Sequence, residues 1–186
     1  MKRAVDIAGA LAGLILLSPL FVWAALAVVF GSPGPALHWS QRVGRNERLF
    51  AMPKFRTMRT DTPQVATHLL MDPDQWLTPI GKLLRRTSLD ELPQFWSILK
   101  GDMSLVGPRP ALFNQDDLVT LRRKAGVAAL RPGLTGWAQV NGRDELPIAE
   151  KARLDAEYAR RMSLAFDLQI IAKTALAAVS GRGVTH

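Results

Sequence analysis

Hydrophobic and polar positions alternate along this chain in three different ways. Residues 4–30 are almost wholly apolar and are interrupted near the middle by Ser18-Pro19. Residues 37–43 and 48–52 are short runs rich in β-formers, and the intervening Gly44-Arg45-Asn46-Glu47 predicts a hairpin loop between two strands. From residue 78 onward the period is helical. Thr78-Pro79 sets a cap and a first-turn proline, and Ile80, Leu83 and Leu84 form one apolar face. A second helix is predicted from Ser88 through Leu92, Phe95, Trp96, Ile98 and Leu99, stopped by Gly101. Charged helices follow over 114–124 and 147–162, then an apolar helix over 164–179. Residues 60–76, 101–110 and 130–143 carry turn residues and are predicted as loops. The pattern therefore predicts an α+β fold, mostly helical with a short β-hairpin. It divides into an N-terminal segment over 1–35 and a domain over 36–186.

The apolar run is long enough for a membrane, at more than about 20 residues. It is too long for the core of a cleaved signal peptide, and Gly31-Ser32-Pro33-Gly34-Pro35 follows it without a cleavage pattern. Pro19 removes a helix hydrogen bond and predicts a kink, and Ser18 is placed to bond a carbonyl so freed. Basic residues flank both ends: Lys2 and Arg3 before, then Arg42, Arg45, Arg48, Lys54, Arg56 and Arg59 after. The positive-inside tendency puts both flanks in the cytoplasm, which favours a re-entrant, monotopic anchor bent at Ser18-Pro19. A kinked spanning helix is the alternative. The last helix, at about 16 residues, is too short to span and is expected at the membrane surface or against the first segment.

Charge and composition narrow the chemistry. Lys and Arg number 24 against 16 Asp and Glu, a formal charge of +8, with a sequence pI of about 10.6. That balance suits nucleic acid, an anionic membrane face or phosphorylated substrates. No nucleic-acid-binding motif is present, so nucleic acid is not expected as a partner. The chain has no cysteine, which excludes disulfides and thiolate metal sites. The lone His68 in the 60–76 stretch reads as a surface residue.

Arg85-Arg86-Thr87-Ser88-Leu89-Asp90-Glu91-Leu92-Pro93-Gln94 concentrates the chemistry. Ser88-x-x-Glu91 fits a capping box, which would spend Glu91 on the backbone of an exposed helix start. The same stretch also fits an anion site: free N–H groups, two guanidinium groups suited to phosphate, and an Asp able to act as nucleophile or magnesium ligand. Residues 101–110 hold one arginine, Arg109, fixed between two prolines.

Four stretches together resemble the bacterial sugar transferases, the small monotopic phosphoglycosyl transferases. They are Lys54-Phe55-Arg56-Thr57-Met58; Thr87-Ser88-Leu89-Asp90-Glu91-Leu92-Pro93-Gln94; Lys100-Gly101-Asp102-Met103-Ser104-Leu105-Val106-Gly107-Pro108-Arg109-Pro110; and Arg131-Pro132-Gly133-Leu134-Thr135-Gly136-Trp137-Ala138-Gln139-Val140-Asn141-Gly142-Arg143. The resemblance covers nearly the whole chain. It implies transfer of a sugar 1-phosphate from a UDP-sugar to polyprenyl (undecaprenyl) phosphate, with release of UMP, at the cytoplasmic face of the bacterial inner membrane. This step opens the assembly of a surface glycan.

The resemblance also implies site roles. Asp90 is the nucleophile that forms a covalent phosphosugar intermediate, and Glu91 joins it in binding Mg2+. Lys54, Arg85 and Arg109 bind phosphate, and Arg143 and Asp167 fall in family-like contexts. Membrane lipids are expected partners, as is a second copy of the chain. The chain departs from the pattern at Asp72-Pro73-Asp74, at Pro53 and at Asp144. These departures bear on loop shape and sugar choice. A basic, membrane-anchored binding or scaffold module without catalysis is the competing class, and it leaves the Asp90-Glu91 pair without a purpose.

Overall fold

The computed structural model describes residues 1–62, 72–142 and 146–180. The apolar run forms two helices, α1 (Lys2–Leu16) and α2 (Ser18–Gly31). They are bent by 63° relative to each other, and neither is long and apolar enough by itself to cross a membrane. The bend has the expected cause. Pro19 has no N–H to give to Ile15, and the Ser18 hydroxyl bonds the Ile15 carbonyl at 2.8 Å.

β1 (Leu37–Val43) and β2 (Leu49–Phe55) pair antiparallel, with Leu37 opposite Phe55 and Val43 opposite Leu49. The hairpin loop turns over Arg45–Glu47, with Asn46 and Glu47 in the left-handed region at φ 54 and 61. The short β4 (Ala111–Leu112) adds to the other edge of β1, giving the order β2-β1-β4. β3 (Ser104–Val106) and β5 (Gly133–Thr135) form a separate parallel pair. Residues 101–110 and 130–143 are thus not purely loop. Strands of three residues carry no readable period, and their partners lie far apart in sequence.

The helical remainder is α3 (Pro79–Thr87), α4 (Gln94–Lys100), α5 (Asp116–Lys124), α6 (Trp137–Val140), α7 (Ile148–Arg161) and α8 (Leu164–Ser180). Thr78 caps α3 as expected, accepting from the Gly81 N–H at 3.0 Å. Gly101 ends α4 in the left-handed region at φ 98, where glycine is favoured.

Two apolar clusters decide where the acid-bearing turn sits. α1 packs on α4 and β2 through Ala10, Phe50, Met52, Ile98 and Met103. α2 packs on α3 and the end of β2 through Ala24, Val28, Phe55, Leu84 and Leu92. Phe95 touches both clusters. The two arms of the bent pair thereby grip the two helices that flank residues 88–93. The outer faces of the arms stay apolar and uncovered: Ile15, Leu16, Val22 and Phe30 are each more than half exposed.

Polar contacts fix the start of α1. Lys2 bonds Asp167 at 2.6 Å and the Val106 carbonyl at 3.0 Å. Arg3 bonds the carbonyls of Ile98 and Leu99 at the end of α4. Asp6, buried within the apolar run, accepts from the Ser104 hydroxyl and the Leu105 N–H. At the far end of α2, Arg56 holds Ser32 and the Pro35 carbonyl.

Candidate active site

The turn between α3 and α4 differs from a simple capped helix start. Ser88 takes a left-handed conformation at φ 56 and ends α3. A 3-10 turn over Leu89–Glu91 follows, and Leu92 and Pro93 keep right-handed helical angles into α4. The capping box does not form. The Glu91 carboxylate turns away from its own backbone and accepts from Lys54 Nζ at 2.9 Å and Arg109 Nη2 at 3.0 Å. Nor is the pair exposed, since Asp90 and Glu91 are 7% and 9% accessible. The reason is tertiary. β2 brings Lys54 and the 107–110 segment brings Arg109, and two cations outweigh one backbone N–H.

Each cation is held from behind. Lys54 is the penultimate residue of β2 and sits 3.8 Å from Asp90 as well as bonding Glu91. Arg85, in the last turn of α3, bonds the Thr57 hydroxyl at 3.0 Å, and it and Asp90 act on each other electrostatically. The Arg109 backbone is fixed by Arg122, which donates to its carbonyl at 2.8 Å and pairs with the buried Asp155. The neighbouring backbones of 107–108 and 133–135 approach closely, with Gly133 N–H to Pro108 O and Gly107 N–H to Thr135 O both at 2.9 Å. A Cβ at Gly133 would lie 2.1 Å from Gly107 N, so this contact demands glycine.

The two carboxyls have opposite electrostatics. Burial pushes the Asp90 carboxyl above its ordinary range, because desolvation outweighs Lys54, Arg85 and Arg109 and the neighbouring Glu91 adds to the rise. Burial also opposes ionisation of Glu91, but Arg109 and Lys54 overcome it and hold that carboxyl well below the usual range. One acid is firmly ionised and the other is a desolvated, more basic carboxyl. Facing pairs of that kind commonly divide chemical roles.

Oxygen donors of this kind fit magnesium, which takes carboxylates, water and phosphate oxygens. Lys54 and Arg109 share Oε1 of Glu91, so Oε2 and the Asp90 carboxylate are the oxygens that would ligate such an ion. Among the described residues there is no cluster of three or more His, Cys, Asp or Glu that could hold a metal. An ion here would complete its shell with water and phosphate.

Of the residues expected at the site, Lys54, Arg85, Asp90, Glu91 and Arg109 converge. Arg143 lies outside the described residues, as does His68. Asp167 joins a different network, with Lys2 and the buried Tyr158 hydroxyl at 2.7 Å. Burial and then the Asp167 hydrogen bond push the Tyr158 hydroxyl far up, so it stays protonated as a donor.

Sequence reasoning missed Arg42 and Gln94, which line a small cleft with Lys54 and Arg109. Arg42 could have been found from strand register, since its side chain shares a sheet face with Lys54 two pairs along. His38, directly opposite Lys54, belongs to the same face. Burial, then Lys54 and Arg42, lower its pKa, so it is neutral at pH 7.

The fold and site define a class: an α+β domain with a buried, cation-ringed acid pair, built against a bent apolar helix pair. The bacterial sugar transferase family model matches residues 1–181, and the chain belongs to that family. The UDP-glucose:undecaprenyl-phosphate glucose-1-phosphate transferase of Escherichia coli (strain K12) is 40% identical over 92% of this chain and 38% of its own length. Galactosyl transferase CpsE of Streptococcus agalactiae serotype III (strain NEM316) is 37% identical over 98% of this chain and 43% of its own. The chain thus spans about two fifths of these two relatives. It covers 87% of exopolysaccharide production protein ExoY of Rhizobium meliloti (strain 1021), at 37% identity over 98% of this chain.

Proposed function

We propose that the chain transfers a sugar 1-phosphate from a UDP-sugar to polyprenyl (undecaprenyl) phosphate at the cytoplasmic face of the inner membrane, opening the assembly of a surface glycan. The observation that carries the reading is the split acid pair: a desolvated Asp90 beside a Glu91 ionised by Lys54 and Arg109. Names of relatives that specify undecaprenyl-phosphate acceptors support it.

In the first half-reaction an Asp90 carboxylate oxygen attacks the sugar-bearing phosphorus. The P–O bond to UMP breaks, and UMP leaves with that electron pair. In the second, an oxygen of polyprenyl phosphate attacks the same phosphorus and Asp90 leaves as the carboxylate. Lys54, Arg85 and Arg109 bind and align phosphate oxygens, since phosphoryl transfer depends chiefly on positioning and charge. Asp90 and the free oxygen of Glu91 would hold Mg2+, which supplies charge neutralisation on the phosphate oxygens when bound. Covalent catalysis lets one small pocket serve two substrates in turn.

Residues 1–35 are proposed as a re-entrant anchor. Both of their ends are tied to one domain, through Lys2, Arg3 and Asp6 at the start and Arg56 at the end. The apolar outer faces of the arms then meet lipid, and the site lies where a lipid phosphate lies. UMP release by purified, detergent-solubilised protein with Mg2+, polyprenyl phosphate and a panel of UDP-sugars tests the reaction. Release is expected with at least one donor and is expected to vanish in Asp90→Asn. Substantial transfer by that variant would end the nucleophile assignment.

A further inference from the structure

We infer that Gln94 is a ligand-binding residue whose side-chain amide donates a hydrogen bond to an oxygen of the phosphoryl group held beside Asp90. Gln94 is 2% exposed, and its Nε2 is a buried donor with no hydrogen-bond acceptor. A buried amide left unpaired is costly, so its persistence calls for a reason. Three other described side chains hold a buried atom without a hydrogen bond: Asp102, which is ion-paired with Lys100, Trp137 and Gln139. None of them lines the cleft that Gln94 shares with Arg42, Lys54 and Arg109.

Backbone geometry places Gln94 on the same side of the turn as Asp90. Residues 89–94 keep right-handed helical angles through the 3-10 turn and Pro93. Residues four apart on such a backbone share a face, so Gln94 follows Asp90 by one turn. The acceptor that a donor needs here is anionic, because the other polar groups of the cleft wall are cations. A phosphate oxygen meets that description.

A neutral donor has a further use at this position. Lys54 and Arg109 divide their donors between Glu91 and the phosphate, whereas the amide gives its N–H without adding charge or competing for the acid pair. The inference deepens the proposed function and rests on it for the identity of the phosphoryl ligand, which is either the UDP-sugar or polyprenyl phosphate.

The test uses the purified full chain in detergent, with magnesium present and inorganic phosphate as the probe. Thermal melting of wild type is expected to rise saturably with phosphate. In Gln94→Met the phosphate concentration for half the rise is expected to increase about tenfold, the scale of one hydrogen bond to a charged group. Ligand-free Gln94→Met is expected to melt at or above wild type, because it removes a buried unpaired donor. Gln94→Glu keeps the shape and exchanges the donor for an acceptor, and it is expected to lose the phosphate response as well.

An unchanged phosphate response in both variants would overturn the inference, as would a wild type indifferent to phosphate or a ligand-free Gln94→Met that melts well below wild type. Gln94-dependent phosphate binding in a protein that releases no UMP upholds this inference and removes the reaction. UMP release alongside a wild-type phosphate response in both variants does the reverse. Where both hold, a KM rise confined to the UDP-sugar or to polyprenyl phosphate tells which substrate the amide meets.

Discussion

Neutralising the two adjacent acids should move stability in opposite directions. Glu91→Gln removes the charge that Lys54 and Arg109 face at 2.9 and 3.0 Å. Breaking a buried pair costs about 3–5 kcal/mol in the fully enclosed case. Here the Lys54 and Arg109 side chains are 18% and 30% exposed, and the amide still offers an oxygen, so about 2–3 kcal/mol is the working figure. For a chain of this size that is a fall in Tm of about 4–12 °C.

Asp90→Asn removes a desolvated charge whose ion pair with Lys54 is long, at 3.8 Å. The sign follows from linkage. A carboxyl with a raised folded pKa is ionised at a cost, so its contribution falls as pH rises from the unfolded toward the folded pKa. The depressed carboxyl of Glu91 does the opposite: its contribution is present above the unfolded pKa and is lost as pH falls toward the folded one. Asp90→Asn should therefore gain about 1 kcal/mol at neutral pH, the usual scale when an active-site liability is removed. Differential scanning fluorimetry in detergent with a chelator, which removes any metal contribution, reads both variants. Asp90→Asn melting as far below wild type as Glu91→Gln would refute the assigned electrostatics.

UMP release should fall on the acid side as Asp90 takes up a proton, with the limb lying above the ordinary carboxylate range. Initial rates from about pH 8 down to about pH 4.5 check this, and a flat profile would contradict the raised pKa. Gly133→Ala should cost about 1–3 kcal/mol and weaken Arg109 positioning, because its Cβ would meet Gly107 N at 2.1 Å; Tm together with the KM for the UDP-sugar reads it. Thr78→Ala should cost about 1 kcal/mol through loss of the α3 cap, read by melting. In the cysteine-free chain, a cysteine at Gly31 should resist an impermeant thiol reagent applied to the periplasmic side of intact cells. Labelling there would place that end of α2 across the membrane and end the re-entrant reading.

Much of this arrangement was legible because its signals are local. The Thr78-Pro79 start, the Gly101 stop, the β1–β2 hairpin and the Ser18-Pro19 bend each rest on residues within a few positions of one another. The site was legible as a set of residues through resemblance, but its geometry was not. Ser88-x-x-Glu91 carries a capping signal that is locally correct and globally overridden, because Lys54 and Arg109 come from 37 and 18 positions away. The β3–β5 pairing and the Arg122–Asp155 brace under Arg109 are non-local in the same way. Asp6 in the apolar run was an available signal. A charge there needs a partner, and Ser104 and the Leu105 N–H supply it.

These contacts also bear on what the apolar segment contributes to the domain. α1 holds α4, α2 holds α3, and the acid turn is the connection between α3 and α4. Asp6 fixes the start of β3, and β3 leads directly into the segment that delivers Arg109. The bent pair is therefore part of the scaffold that sets the spacing of Asp90, Glu91 and Arg109. A change in the bend would be transmitted through Phe95 and Leu92, which lie in the clusters under that turn. Burial of the acids depends on the same packing, and so does the elevated basicity of Asp90. The bent pair and Asp90 are thus coupled through the apolar core, and the proposed reaction would use both together.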